Sequence, residues 1–155
     1  MSEVDFSTLT QQEIIDAVIA HARDFEFMSG VERSAQRIKA TAEVFTPTKL
    51  VREILAELPI KQFSDPSSTV LDPCCGDGQF LSEVLIKKLE NGSTFEAALR
   101  TIFGVEIMFD NVEVCRNRLL CGQESLRYIV THNIVAGDGL TFNYDQFGNQ
   151  PVKSS

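Results

Sequence analysis

An α/β fold, with a reduced and mostly parallel Rossmann-like sheet preceded by a helical N-terminal segment, is what this sequence predicts. Three observations predict it. Short apolar runs end in an acid three times, at Asp72, Glu106 and Asp138. The first run leads into Gly76-Asp77-Gly78 and then an amphipathic segment, as a buried parallel strand hands over to a helix. Helical stretches separate the runs, so strands and helices alternate. The expected divisions are residues 1–42 as the helical segment, 43–142 as the sheet domain and 143–155 as a polar tail.

A chain of 155 residues suits one domain with a real core, and 43% apolar content suits a globular one. No apolar run approaches the ~20 residues that span a bilayer, so no membrane contact is expected. The N-terminus, Met1-Ser2-Glu3-Val4-Asp5, lacks the apolar core of a signal peptide, so a cytoplasmic location is expected. Four cysteines, two of them adjacent and none in a C-x-x-C pair, suit reduced thiols. The two histidines, His21 and His132, lie far from Cys74 in sequence, and no metal site is expected. A net charge of −8 argues against extended contact with a phosphate backbone by this chain alone.

The first helix is expected over residues 8–30, with Thr10 and Glu13 as a capping box and Ile14, Ile15, Val18, Ile19 and Ala22 at helical spacing. Phe25, Phe27 and Met28 extend its apolar side before Ser29-Gly30 stops it. Residues 31–43 hold the most basic stretch, with Arg33, Arg37 and Lys39, read as a solvated helix face. Thr46 should then cap a helix with Pro47 in its first position, and Leu50, Val51, Ile54, Leu55 and Leu58 should face inward. Pro59 and the turn-rich residues 64–68 end that unit.

The first strand is residues 69–73, and its helix runs from Gln79 to Leu89 with Asn91-Gly92 as the stop. Phe80, Leu81, Val84, Leu85 and Leu89 form its buried stripe. A short helical piece over 94–99 leads to a second strand over 101–107. Asp110 should cap the next helix, with Val112, Cys115 and Leu119 inward, and a third strand covers 133–136.

Parallel strands put all three acids at one sheet edge, where open α/β folds bind ligands. The glycines let the chain bend and let a ligand approach the backbone. The third glycine of a dinucleotide loop is replaced by Leu81, and Asp72 and Asp77 flank the glycines. Two acids suit a ligand with a cationic end. S-adenosylmethionine has one: Asp72 would meet its amino-acid end, Glu106 its ribose hydroxyls and Asp138 its adenine amino group.

Over residues 43–142 the sequence resembles the amino-methyltransferases that modify adenine in DNA. Phe45-Thr46-Pro47 resembles the segment that lies over the methionine moiety. Asp72-Pro73-Cys74-Cys75-Gly76-Asp77-Gly78-Gln79-Phe80-Leu81 resembles the main cofactor loop. Gly104-Val105-Glu106-Ile107 is similar to the ribose-binding strand, and Gly137-Asp138-Gly139-Leu140 to the adenine-contacting strand end. The resemblance implies S-adenosylmethionine as cofactor. It implies cofactor-binding roles for Phe45, Thr46, Asp72, Pro73, Cys74, Gly76, Gly78, Phe80, Glu106, Ile107, Asp138 and Leu140. It also implies DNA methylation of the restriction-modification kind.

Those enzymes carry a catalytic Asn/Asp-Pro-Pro-Tyr/Phe motif at the tip of the fourth strand. Downstream of Asp138 the nearest candidates are Asn143-Tyr144 and Asn149-Gln150-Pro151-Val152, and neither has paired prolines. Catalytic residues therefore stay unassigned, and DNA contact is expected only if a partner or a further C-terminal part supplies it. Without a fourth strand, residues 69–73 lie at an open apolar edge, which proteins usually cover. The N-terminal helices, a second copy or another chain would cover it. Two alternatives remain beside the methyltransferase reading: a non-catalytic regulatory or inhibitory partner, and an enzyme acting on S-adenosylmethionine itself.

Overall fold

The computed structural model describes residues 4–28 and 47–153. A 3-10 turn, Phe6–Thr8, comes first, and its Phe6 ring meets Phe95 edge-on at 5.0 Å. Helix α1 (Gln11–Met28) opens on the expected capping box: Glu13 N–H donates to Thr10 Oγ1 at 3.2 Å, and Thr10 N–H to Glu13 Oε1 at 3.0 Å. Ile15, Val18 and Ala22 are buried, while Ile14 and Ile19 pack at the margin. The side chains of Phe25, Phe27 and Met28, the stop at Ser29-Gly30 and the basic stretch at 31–43 lie outside the described residues.

Helix α2 (Thr48–Ala56) begins one residue later than the sequence suggests, with Pro47 as its cap at ψ 145°. Its inward face is also narrower than expected. Val51 and Leu55 are buried, but Leu50, Ile54 and Leu58 are 45%, 43% and 41% exposed. Leu50 and Ile54 flank the seam that Val51 and Leu55 form, and the helix ends at Ala56, before Leu58. A four-residue helix α3 (Lys61–Ser64) follows where only a turn was expected, and it buries Phe63 completely.

Strand β1 (Val70–Asp72) leads to helix α4 (Gln79–Glu90), which Asn91 and Gly92, at φ +101°, terminate as expected. This helix is buried nearly all round, because α1 and α2 pack on its outer side and the sheet lies beneath. Leu81, Val84, Leu85 and Leu89 are inside as expected, and Phe80 is only half-buried. Polar residues are carried inside with them. Glu83 receives Arg23 Nη1 at 3.0 Å and Arg52 Nε at 3.3 Å, and Lys88 Nζ donates to the Ser68 carbonyl at 2.7 Å. Burial holds the Lys88 ammonium below its ordinary pKa.

Helix α5 (Phe95–Arg100), capped by Thr94, precedes strand β2 (Ile102–Glu106). Helix α6 (Phe109–Leu120) follows, with Met108 rather than Asp110 at its cap; Asp110 sits in the first turn, where its charge complements the helix dipole. Val112, Cys115 and Leu119 face inward. A further helix, α7 (Arg127–Asn133), not among the elements read from the sequence, runs into strand β3 (Ile134–Ala136). The three strands form one parallel sheet in the order β1-β2-β3, with Asp72 opposite Gly104 and Glu106 opposite Ala136.

Residues 143–153 form no strand but pack on the sheet. Gly104 faces Leu81 on α4, so neighbouring Phe103 faces the opposite side, and there the Phe147 ring lies 5.0 Å from it. Phe147 also meets Phe142 at 5.2 Å, and the buried Pro151 accepts a hydrogen bond from Arg100 Nη1 at 3.3 Å. Among the described residues nothing pairs with the outer edge of β1, and Leu71 there is 45% exposed. Helix α1 packs on α4 and α6 instead of on that edge. No helix among the described residues is long and apolar enough to cross a membrane.

Gly78 is at φ +92°, and a Cβ there would lie 2.9 Å from Cys115 Sγ and 3.2 Å from Cys115 Cα. Gly78→Ala should cost about 2–4 kcal/mol, combining a left-handed alanine with overpacking. Gly92→Ala has the same backbone strain but open space around the methyl group, and should cost about 1–2 kcal/mol. Urea denaturation of the two variants checks this; equal losses would show that the Cys115 contact carries nothing.

Candidate functional site

The carboxyl ends of β1 and β2 and the loop after β3 enclose a cleft of about 310 Å³. Pro73, Cys74, Glu106, Ile107, Gly137, Asp138, Gly139 and Leu140 line it. Of the residues singled out in the sequence, it therefore gathers Pro73, Cys74, Glu106, Ile107, Asp138 and Leu140. Asp72, Gly76, Gly78 and Phe80 stand outside its lining, and Phe45 and Thr46 lie outside the described residues.

Glu106 is the best-held side chain of the cleft. It is 8% exposed at the last position of β2. Its Oε2 accepts from the Met108 N–H at 2.8 Å and from Asn111 Nδ2 at 3.4 Å. No hydrogen bond engages Oε1 among the described residues, so one oxygen anchors the carboxylate and the other stays free. Asn111 is fully buried on α6 and was not singled out in the sequence. Its spacing of five residues after a strand-terminal acid is the only sequence signal for it.

Asp72 ends β1 and is half-buried, with Oδ1 accepting from the Cys74 N–H at 3.0 Å. Burial pushes its carboxyl above the ordinary pKa, that hydrogen bond opposes the rise, and the charge of Glu106 adds to it. Asp77, which the sequence placed beside Asp72 as a second acid for a cationic ligand, does not serve that way. It is 2% exposed and its Oδ1 lies 3.5 Å from Nη1 of the buried Arg118. The ion pair neutralises Asp77 inside the protein, so its charge belongs to the fold.

The two loop glycines have different jobs. Gly76, at φ +56°, has nothing among the described residues within 4 Å of where a Cβ would stand, so the backbone there is open on their side. The space beside Gly78 is filled by Cys115, so Gly78 seats the start of α4 against α6 and leaves no room there for a ligand. The amide side chain of Gln79, next in the chain, donates to Thr48 Oγ1, which ties the start of α2 to the turn. Phe80 packs against the core and not on the cleft.

The far wall is the loop after β3. Asp138 is exposed, and its Oδ1 accepts from the Leu140 N–H at 2.9 Å. Gly139 comes so close to the Pro73 carbonyl that a side chain there would collide with it. Tyr144 Oη donates to the Gly139 carbonyl at 2.6 Å, so the residues after β3 fasten this loop. Ile107 and Leu140, 66% and 95% exposed, leave apolar side chains at the cleft mouth. Among the described residues no group of three or more His, Cys, Asp or Glu side chains is placed to hold a metal ion.

Residues 9–153 match the family model described as N-6 DNA Methylase. No solved structure matches the chain.

The raised pKa of Asp72 has a consequence for stability. The folded protein holds that proton more tightly than the unfolded chain, so Asp72 favours folding below the ordinary value of 3.8. The benefit is lost as pH rises through the raised value, and the ionised form burdens the fold at neutral pH. Asp72→Asn keeps an oxygen for the Cys74 N–H. It should melt at a higher temperature than the parent at neutral pH, with the difference shrinking toward acid. Thermal denaturation across that range checks it; a parent protein more stable than the variant at neutral pH would contradict it.

Proposed function

Since the chain belongs to the N-6 DNA methylase family, we propose that its cleft binds S-adenosylmethionine and that the chain serves as the cofactor-binding half of an adenine-specific DNA methyltransferase. The observation that carries this reading is Glu106: a carboxylate more than nine-tenths buried, fixed through one oxygen, with the other free at the cleft. Two adjacent hydroxyls on a ribose are the group such an acid receives at the second strand tip of this kind of sheet.

The cofactor would supply an electrophilic methyl group on a sulfonium centre. The chain's own residues bind and orient. Glu106 accepts from the ribose hydroxyls. Asp138 offers its carboxylate to the adenine amino group, and Ile107 and Leu140 give apolar contact to the faces of the base. Asp72 offers its charge to the ammonium, and the open backbone at Gly76 lets the methionine portion come close. Pro73 and Cys74 form the floor between them. Gly78 and Phe80 support the turn from behind, and Phe45 and Thr46 would lie over the methionine portion from the segment entering α2. A raised carboxyl pKa at Asp72 supports this, since a site for an ammonium costs stability until its cation arrives.

The five prolines of the chain, Pro47, Pro59, Pro66, Pro73 and Pro151, include no adjacent pair. The Asn/Asp-Pro-Pro-Tyr/Phe group that would present adenine is thus proposed to come from a further polypeptide segment. The unpaired edge of β1, beside the cleft, is where such a strand would sit. DNA contact would come with it. A non-catalytic, regulatory role is the second reading, favoured by the same lack of paired prolines.

Calorimetry with S-adenosylmethionine tests the proposal. Glu106→Ala should weaken binding about 10–100-fold, the worth of charge-assisted hydrogen bonds. No binding by the parent chain at about millimolar ligand (a Kd corresponding to ~4 kcal/mol) would refute it. A methyl-transfer assay on mixed-sequence DNA separates the two readings, and transfer by the isolated chain would show that the missing motif is not needed.

A further inference from the structure

We propose that Cys74 is a modification site, at which small aminothiol disulfides form a mixed disulfide that excludes the cofactor; this rests on the cofactor reading above. Cys74 is the exposed member of four free thiols. Cys75, Cys115 and Cys121 are 4%, 0% and 4% exposed, beyond the reach of bulk solutes. Cys74 also lines the cleft that holds Glu106 and Asp138. The free Oε1 of the buried Glu106 marks that cleft as built to receive a ligand.

The acids select the reagent. Glu106 and Asp138 line the cleft, so a cationic disulfide is concentrated there and an anionic one repelled. Cystamine represents the cationic class. The Cys74 thiolate attacks one cystamine sulfur. A bond forms between Cys74 Sγ and that sulfur, the cystamine S–S bond breaks, and the departing aminothiolate takes up the proton that Cys74 released. Cys74 is oxidised to the mixed disulfide while the reagent is reduced to one free aminothiol. The adduct sets an ammonium beside Glu106 and Asp138, inside the roughly 310 Å³ that the cofactor would fill. Excess monothiol reverses the exchange.

The test treats the full chain with cystamine, maps the adduct by peptide mass analysis, and measures S-adenosylmethionine binding before treatment, after it, and after dithiothreitol. The expected result is a single adduct at Cys74, affinity lowered at least about tenfold by loss of cleft volume, and recovery on reduction. Oxidised glutathione should react more slowly than cystamine, and saturating S-adenosylmethionine should slow both. Cys74→Ser, whatever its own affinity, should bind equally before and after treatment. Adducts at the buried cysteines first, or a Cys74 adduct that leaves binding unchanged, would overturn the proposal. Failure of the untreated protein to bind S-adenosylmethionine would overturn the functional reading and this inference with it, whereas a wrong adduct position overturns this inference alone.

Discussion

The close approach of the glycine turn to its neighbours is the contact on which the site depends. Cys115 on α6 fills the space beside Gly78, and Cys75 fills the space beside Gly104 on β2. These two contacts bring the start of α4 against α6 and the turn against the second strand. The tips of β1 and β2 are thereby held at one level, with Asp72 opposite Gly104 in the register. Packed interiors have little slack, so a methyl group at either glycine must displace backbone or sulfur. The thiols act here as small apolar side chains that fit where a branched one would not.

Electrostatics then separate the acids that are paired with cations from those that are not. Asp77 is neutralised by Arg118, and Glu83 by Arg23 and Arg52. Removing one partner from such buried pairs leaves an uncompensated charge, which is why they are kept together. Glu106 and Asp72 have no cation of their own beside them among the described residues. Backbone N–H groups and Asn111 hold them in place without cancelling their charge. Burial and the charge of Glu106 both push the Asp72 carboxyl above its ordinary pKa.

The sheet is unequally covered. On one face α4 and α6 complete a dense core. On the other, Phe147 caps Phe103 and Phe142 packs on Phe147, while Tyr144 reaches back to brace the loop after β3. Residues that read as a polar tail thus support the cleft wall, because three aromatic rings spaced two to three residues apart suffice to close over a strand. Among the described residues the outer edge of β1 stays unpaired, and Leu71 within β1 is exposed. Leu50 and Ile54 on α2, and Leu58 just beyond its end, are further apolar side chains that the described residues leave half-exposed.

The sequence by itself determined the alternation of strands and helices, the capping box at Thr10, the stop at Asn91-Gly92 and the gathering of strand-terminal acids at one edge. These are local rules: periodicity, cap chemistry and the parallel crossover act within a few residues or one βαβ unit. Only the tertiary structure decided which groups remain available. Asp77 and Asp72 flank the same glycines, yet Arg118, forty-one residues beyond Asp77 in the chain, claims one and leaves the other. Gly78 and Gly76 look alike in sequence, yet Cys115 occupies the space beside one and no described residue occupies the space beside the other. Leu50 and Ile54 share the helical period of Val51 and Leu55, but the neighbouring helix covers only the latter pair, and Leu58 lies beyond the helix end. Helix α7 and the bracing by Tyr144 were hidden for the same reason: contacts between distant segments settle which local preference prevails, and no spacing in the chain records them.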